Sequence, residues 1–423
     1  MASPSIMELA VIISENTAKV KEYLLAKELP LPSFNVDAPS KSLIDPQEAP
    51  EVEAARMKII DASLMMHALM LGPKAHLMSF YHNSLLSMQA ISQFNLVSTI
   101  PIHGEATFGE IAERSGVNEG DVKRILRHSM TNRIFKEPRK GIVAHTAASR
   151  LIAEDTQMAD WVGASTGELW QAAAHTIHAM LKYPGSQEPN ETGFSLANNS
   201  DKSTFAILSQ DSKRAKRFGN AMKAYTEGNG FDLQYVADNY PWADFGNGTV
   251  VDVGGSHGSA CITLAAAFPK LNFVIQDLLQ VVAGGPATLP QEMVNRVGFM
   301  AYDFLKEQQP VKDADVYFFR WVFHNWSDKY CIQILRNHIP ALKKGARIVI
   351  NEYVLPEPGV LPIHQEERLR SMDLSMMEVQ NSRERDLDDW AKLFLEADER
   401  YVFKGGKQPA GSSLWILEVE WKG

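Results

Sequence analysis

TVVDVGGSHGSACITLAAAF, residues 249–268, decides the fold. A β-branched apolar run ending at Val253 enters a turn containing Gly254, Gly255 and Gly258, and an apolar helical pattern follows at once. Glycines let a backbone approach a ligand closely, and a helix N-terminus offers unpaired N–H groups. The next strand-like run, NFVIQD (272–277), ends in Asp277, which lies 277 − 252 = 25 positions after Asp252. An acidic residue at the end of a second strand is placed to bind ribose hydroxyls. The GGxxG spacing is not the dinucleotide fingerprint G-x-G-x-x-G, and a phosphate-binding P-loop is absent. NAD and ATP are therefore disfavoured, and a nucleoside without a pyrophosphate is favoured.

Outward from this stretch the texture continues. The runs DVYFFRWV (315–322), ARIVINEYV (346–354) and SSLWILEVEW (412–421) alternate with the helical patterns DKYCIQILRNHIPAL (328–342) and LDDWAKLFLEA (387–397). Such alternation predicts parallel βαβ units and hence an α/β fold with a doubly wound sheet. Before residue 245 the pattern is helical. The chain therefore divides into residues 1–50, an amphipathic helix over 1–28 and a proline-rich linker; 51–245, a helical domain; and 246–423, the α/β domain. A Met-rich run from Met57 to Met70 recurs at 3–4 spacing, which suits a buried helical face or a Met-lined groove. Residues 107–150 read as helix, turn, helix with an Asn118 N-cap, then a hairpin-like tail in GIVAHTAASRLI. That order is winged-helix-like, and Lys123, Arg124 and Arg127 on its second helix raise a DNA-binding reading beside that of a solvated face.

Composition narrows the class. The 423 residues carry 42 basic and 51 acidic side chains, a net charge of −9, which gives no bulk signal for nucleic acid or an anionic membrane. No run approaches the ~18 apolar residues of a membrane helix. Only Cys261 and Cys331 are present, so a disulfide scaffold and a four-cysteine zinc site are excluded, and a reducing, cytoplasmic setting fits best.

A second motif carries chemistry. FRWVFHNWSD (319–328) delivers His324 just past the carboxyl end of an apolar strand, where open α/β sheets bind ligands. Glu352 follows the next strand, and Glu384 lies in NSRERD after a helix. A histidine flanked by carboxylates is a tuned general base, because the acids orient the imidazole and stabilise its charged form.

In this order VDVGGSHG, the strand-end Asp277, RWVFHNWSD, NEYVLP and SRERD resemble the S-adenosylmethionine-dependent O-methyltransferases of the plant caffeate/flavonoid type, especially fungal secondary-metabolism relatives. The likeness covers about residues 85–423. It implies a Rossmann-like class I methyltransferase domain behind a winged-helix-like domain that dimerises and does not bind DNA. It assigns Gly254, Gly255 and Gly258 to the methionine end of S-adenosylmethionine, Asp277 with Leu278 to its ribose, and Asp303 and Phe304 to its adenine. Arg320 and Trp326 become its basic and aromatic neighbours. His324 becomes the catalytic base and Glu352 and Glu384 its two carboxylates. Trp170, Met222, Met372, Met376 and Met377 fall in segments that line the acceptor pocket. The expected reaction is metal-free methylation of a phenolic hydroxyl on a small aromatic metabolite by a homodimer. The alternative is a methyltransferase-like dehydratase or pericyclase, which binds the cofactor without spending its methyl; such members tend to lose the histidine. Two departures stand out. Ser256 replaces a glycine, which is tolerable if its φ stays negative. Asn325 replaces the aspartate that usually follows the base, removing one negative charge beside it.

Overall fold

A computed structural model describes residues 4–226, 228 and 230–423; residues 1–3, the start of the expected N-terminal helix, lie outside them. The chain forms two compact units. The first comprises residues 1–174, 205–226 and 361–367, and the second residues 175–204, 227–360 and 368–423.

In the first unit, the helix Ile6–Ala26 begins in a capping box, where the Ser5 hydroxyl accepts from Glu8 N–H and the Glu8 carboxylate accepts from Ser5 N–H. Its apolar face, with Val20 and Leu24, packs on Ile44, Ala49, Val52 and Ala55. The long helix Pro50–Leu77 bends at Gly72 and Pro73, as a proline inside a helix dictates. A second capping box, Thr107 with Glu110, starts the helix Phe108–Ser115, and Asn118 caps Glu119–Thr131 as expected. Strands β1 (Glu105–Thr107), β2 (Lys136–Arg139) and β3 (Ile142–Ala144) form an antiparallel sheet in the order β1-β3-β2. The hairpin-like tail expected over 141–152 is corrected: past Ala144 the chain becomes the helix Ala147–Glu154, because the Thr146 hydroxyl accepts from Ser149 N–H and nucleates it.

The second unit is built on a seven-stranded sheet. Its strands are β4 (Thr249–Val253), β5 (Asn272–Asp277), β6 (Val297–Ala301), β7 (Val316–Arg320), β8 (Arg347–Glu352), β9 (Tyr401–Lys407) and β10 (Trp415–Trp421). Their order is β6-β5-β4-β7-β8-β10-β9; β10 runs antiparallel to both neighbours and the other pairs are parallel. Both faces are covered. Val251, Val253, Tyr317, Phe319, Ile348 and Ile350 pack on one side, and Val250, Phe273, Ile275, Val316, Phe318 and Val349 on the other. This two-sided burial explains why the central strands read as continuous apolar runs.

The order places the chemistry. After β4 the chain builds β5 and β6 on one side, then returns to pair β7 against β4, with Val250 opposite Val316 and Asp252 opposite Phe318. A crevice opens at the carboxyl ends of strands where the order reverses. The glycine turn after β4 and the histidine turn after β7 both lie at that point.

Candidate active site

The turn after β4 is shaped for a closely approaching ligand. Gly254 and Gly258 have φ of 75° and 82°. A Cβ on Gly254 would stand 2.8 Å from Val322 Cγ2, and one on Gly258 2.4 Å from Ile275 Cδ1. The Gly254 and Gly255 N–H groups both donate to the Gln276 carbonyl, at 2.8 and 3.0 Å. Asp277 Oδ2 accepts from Ser256 N–H at 2.9 Å and its Oδ1 from Leu278 N–H at 2.8 Å, so the strand-end acid faces the turn. Leu278 is exposed. Ser256 itself has φ 51°, so the negative φ under which a serine is tolerated there does not hold.

Asp303 folds back on its own loop, taking Leu305 N–H at 3.1 Å and Lys306 Nζ at 2.8 Å. The Phe304 ring comes 3.8 Å from the position of a Gly254 Cβ and meets Trp326 edge-on at 6.0 Å, so glycine turn, Phe304 and Trp326 form one wall. Beneath the turn Asp252 is buried; burial pushes its carboxyl up to about 7, against the hydrogen bond from Cys261 Sγ. Arg320 is turned into the protein. It donates to Asn351 Oδ1 and, at 2.6 Å, to the Phe231 carbonyl; burial pulls its pKa down to about 10, and the Asp252 charge opposes this.

After β7 the backbone makes a sharp turn. Trp321 takes φ 57°, and Phe323–Asn325 form a single 3₁₀ turn that carries His324. His324 is 9% exposed, and its Nδ1 lies 3.1 Å from Glu384 Oε1. A neutral imidazole facing a carboxylate through Nδ1 keeps its proton there and presents a lone pair at Nε2. Burial pulls the His324 pKa down; the hydrogen bond and charge of Glu384, joined by the charge of Glu352, outweigh that and leave it above the ordinary histidine value, with Arg385 opposing.

Glu352 does something different. Its Oε1 accepts from the Val322 and Phe323 N–H groups at 2.8 and 2.6 Å, and its Oε2 from His324 N–H at 3.0 Å. It grips the backbone of the turn and reaches the ring only through its charge. Burial pushes its own carboxyl up to about 7, against the His324 charge. Asn325 donates to the Trp321 carbonyl at 3.0 Å and so braces the turn.

Two neighbours were not read from the sequence as site residues. The Trp321 ring leans on His324 at 4.8 Å and meets Tyr353 edge-on at 5.1 Å, and its buried Nε1 has no hydrogen-bond partner among the described residues. Arg385 is 1% exposed beside the same turn. Next to Glu384 in SRERD it reads as one more surface charge, and only its burial reveals it. The acceptor-pocket candidates divide by unit. Trp170 and Met222 belong to the first, and Met372, Met376 and Met377, on the helix Ile363–Gln380, to the second. Among the described residues no group of three or more His, Cys, Asp or Glu could hold a metal ion, and no helix is long and apolar enough to cross a membrane.

Residues 188–398 match the O-methyltransferase domain family. The chain is 43% identical, over 99% of its length and 88% of the relative's, to the grayanic acid biosynthesis cluster O-methyltransferase of Cladonia grayi. It is 35% identical, over 99% and 91%, to the chlorophenol O-methyltransferase of Trichoderma longibrachiatum. The crystal structure of OxaC in complex with SAH and oxaline superposes with a TM-score of 0.74 at 22% identity, covering 98% of this chain and all of that one.

Proposed function

Because this chain belongs to the O-methyltransferase family, we propose that it transfers a methyl group to a phenolic hydroxyl of a small aromatic metabolite, with His324 as the general base. The observation that carries this reading is the buried His324–Glu384 pair, which leaves Nε2 as a lone-pair acceptor at the sheet's switch point.

The residues around the glycine turn fit S-adenosylmethionine. Positions 254 and 258 have no room for a Cβ, and Asp277 faces the turn with an acceptor's chemistry for ribose hydroxyls. Gly254, Gly255 and Gly258 would hold the methionine end, Asp277 and Leu278 the ribose, and Asp303 and Phe304 the adenine, with Trp326 behind Phe304. When bound, this group supplies a methyl already activated on a sulfonium.

The chain's own residues then manage the acceptor. A phenol with a pKa of ~10 is a poor nucleophile at neutral pH. His324 Nε2 takes its proton; Glu384 steadies the resulting imidazolium at Nδ1, and Glu352 fixes the turn that carries it. The unpartnered Trp321 N–H, against the His324 ring, is available to an oxygen on the acceptor. Met372, Met376 and Met377, on the same helix of the second unit, suit an apolar wall for an aromatic acceptor. The retained histidine and carboxylate favour methyl transfer over cyclisation. The relative that acts as a chlorophenol O-methyltransferase points to the same acceptor class.

The active form is a homodimer. Leu69, Met70, Leu77, Met78, Phe80, Tyr81 and Leu86, on or between two helices of the first unit, are exposed in one chain, more apolar surface than a solvated arm needs.

Incubation with S-adenosylmethionine and a panel of phenolic polyketides, followed by mass spectrometry for S-adenosylhomocysteine, tests the reaction, with His324→Ala alongside. Product from the wild type and none from the variant supports the reading. An active variant removes the base. An acceptor that loses water or isomerises with the cofactor intact replaces the reaction by the cyclase alternative.

A further inference from the structure

We propose that Arg385 is a positioning residue for the base: it holds the carbonyl side of the His324 turn while Glu352 holds the amide side. The inference rests on the reading of His324 as the base.

A buried turn must find partners for all its backbone polar groups. Here one charged side chain meets them from each side, beside the bonds that Trp326 N–H and Cys331 Sγ give the Phe323 carbonyl and that Cys331 Sγ gives the Trp326 carbonyl. The Val322, Phe323 and His324 N–H groups converge on Glu352 from the end of β8. On the other side Arg385 Nη1 donates to the Phe323 carbonyl at 3.2 Å and Nη2 to the Trp326 carbonyl at 2.9 Å, the two that bracket His324 and Asn325. The same guanidinium makes a fork to Asp328 Oδ1, through Nε at 2.9 Å and Nη2 at 2.7 Å, tying the turn to the first residue of the helix Asp328–His338. Nη2 also lies 3.2 Å from Cys331 Sγ, and the Trp390 ring lies 5.3 Å from the guanidinium carbon. A side chain with no exposed surface and this set of acceptors is built in, and a buried cation is tolerable only when so satisfied. Lysine keeps the charge but lacks the planar fork that reaches two carbonyls and a carboxylate at once.

The charge has a second effect. The groups facing the imidazole are Glu384 on its ring nitrogen, Glu352 from β8, and Arg385; Asp373, on the helix Ile363–Gln380, accepts from Glu384 N–H at 2.9 Å, and Asp328 pairs with Arg385. Cys331 stays a neutral thiol, pushed up to about 12 by burial. Arg385 is thus the one cation among the groups named, set against the two carboxylates that act on His324. Removing it leaves the imidazole more basic, so the acid limb of the rate profile moves to higher pH.

The test uses full-length Arg385→Lys, Arg385→Met and Asp328→Asn, with kcat, both KM values, the pH profile of kcat, and S-adenosylmethionine affinity by calorimetry. The expected result for Arg385→Lys is a kcat lower by ~10²-fold, the size of a small misplacement of a catalytic group, with cofactor affinity within about threefold and the acid limb unmoved. Arg385→Met lowers kcat similarly and shifts the limb upward. Asp328→Asn, at a carboxylate 38% exposed, gives a smaller loss of kcat in the same direction and remains readable if Arg385→Met does not fold. Wild-type kcat in Arg385→Lys overturns the proposal. So do losses that only track the folded fraction, with the acid limb in place in every variant that folds. If His324→Ala is inactive while Arg385→Lys is not, this inference alone falls; if His324→Ala is active, the base assignment falls first.

Discussion

Glu384 and Glu352 are both buried, yet they act on different atoms of one residue. Glu384 touches the His324 ring, whereas Glu352 binds the amides beneath it. The sequence makes them look alike, since each follows its element and carries the same charge. Their division of labour depends on where β8 ends relative to the 3₁₀ turn, which pairwise spacing does not encode. It separates their expected phenotypes. Glu384→Gln keeps a hydrogen-bond acceptor for Nδ1–H but removes the charge that lifts the His324 pKa. The base then stays neutral to lower pH, so the acid limb of kcat/KM moves down. The imidazolium is less stabilised as it forms, so kcat falls, by about 10²-fold. Measuring the pH profile of the variant checks both. A limb that stays in place would show that it belongs to another group. Arg385 illustrates what escapes a linear reading: one position from a recognisable carboxylate, it is known as interior only once the fold covers it.

At the scale of elements, the parallel strands β4, β5, β7 and β8 were legible because burial on both faces demands continuous apolar runs. Strands β6 and β9 were not. VGFMA keeps exposed residues at an edge of the sheet, and YVFKGGK carries two glycines and two lysines, so neither shows the pattern of a buried strand. The turn after β4 yields a prediction of its own. Ser256 holds a left-handed backbone at φ 51°, which costs an L-residue roughly 1–2 kcal/mol, whereas glycine adds ~0.5–1 kcal/mol of unfolded-state entropy. Ser256→Gly should therefore raise stability by up to ~1 kcal/mol, read as a modest increase in the melting temperature of the cofactor-free protein. Its N–H remains to serve Asp277, so S-adenosylmethionine affinity should hold. A lower melting temperature would mean that the serine hydroxyl, 3.1 Å from His257 Nδ1, contributes more than the strain removes.

At the scale of the whole molecule, the sequence changes texture near residue 245, but the compact units are not divided there. Residues 175–204 and 227–245 pack with the α/β unit, and residues 361–367 with the helical one. A compact unit is defined by contacts, which linear composition cannot trace across such returns of the chain. Apolar exposure carries the prediction at this scale. Leu77 is 81% and Phe80 72% exposed, and large apolar side chains this open are what an interface covers. Sedimentation of the full chain should give twice the 47.1 kDa monomer mass, and a chain lacking residues 1–80 should lose the dimer or aggregate. A monomer in both cases would remove the dimer.

The pairing of Asp252 with Phe318 sets the two turns at the ends of adjacent rungs of one ladder. Two hydrogen-bonded strands run about 4.8 Å apart, so the glycine turn and the histidine turn start from a separation that the sheet fixes. That spacing works as a gauge. On the proposed reading, substitutions in the walls that receive the acceptor leave this starting separation alone, so a descendant of this chain can change its diet while keeping its reaction.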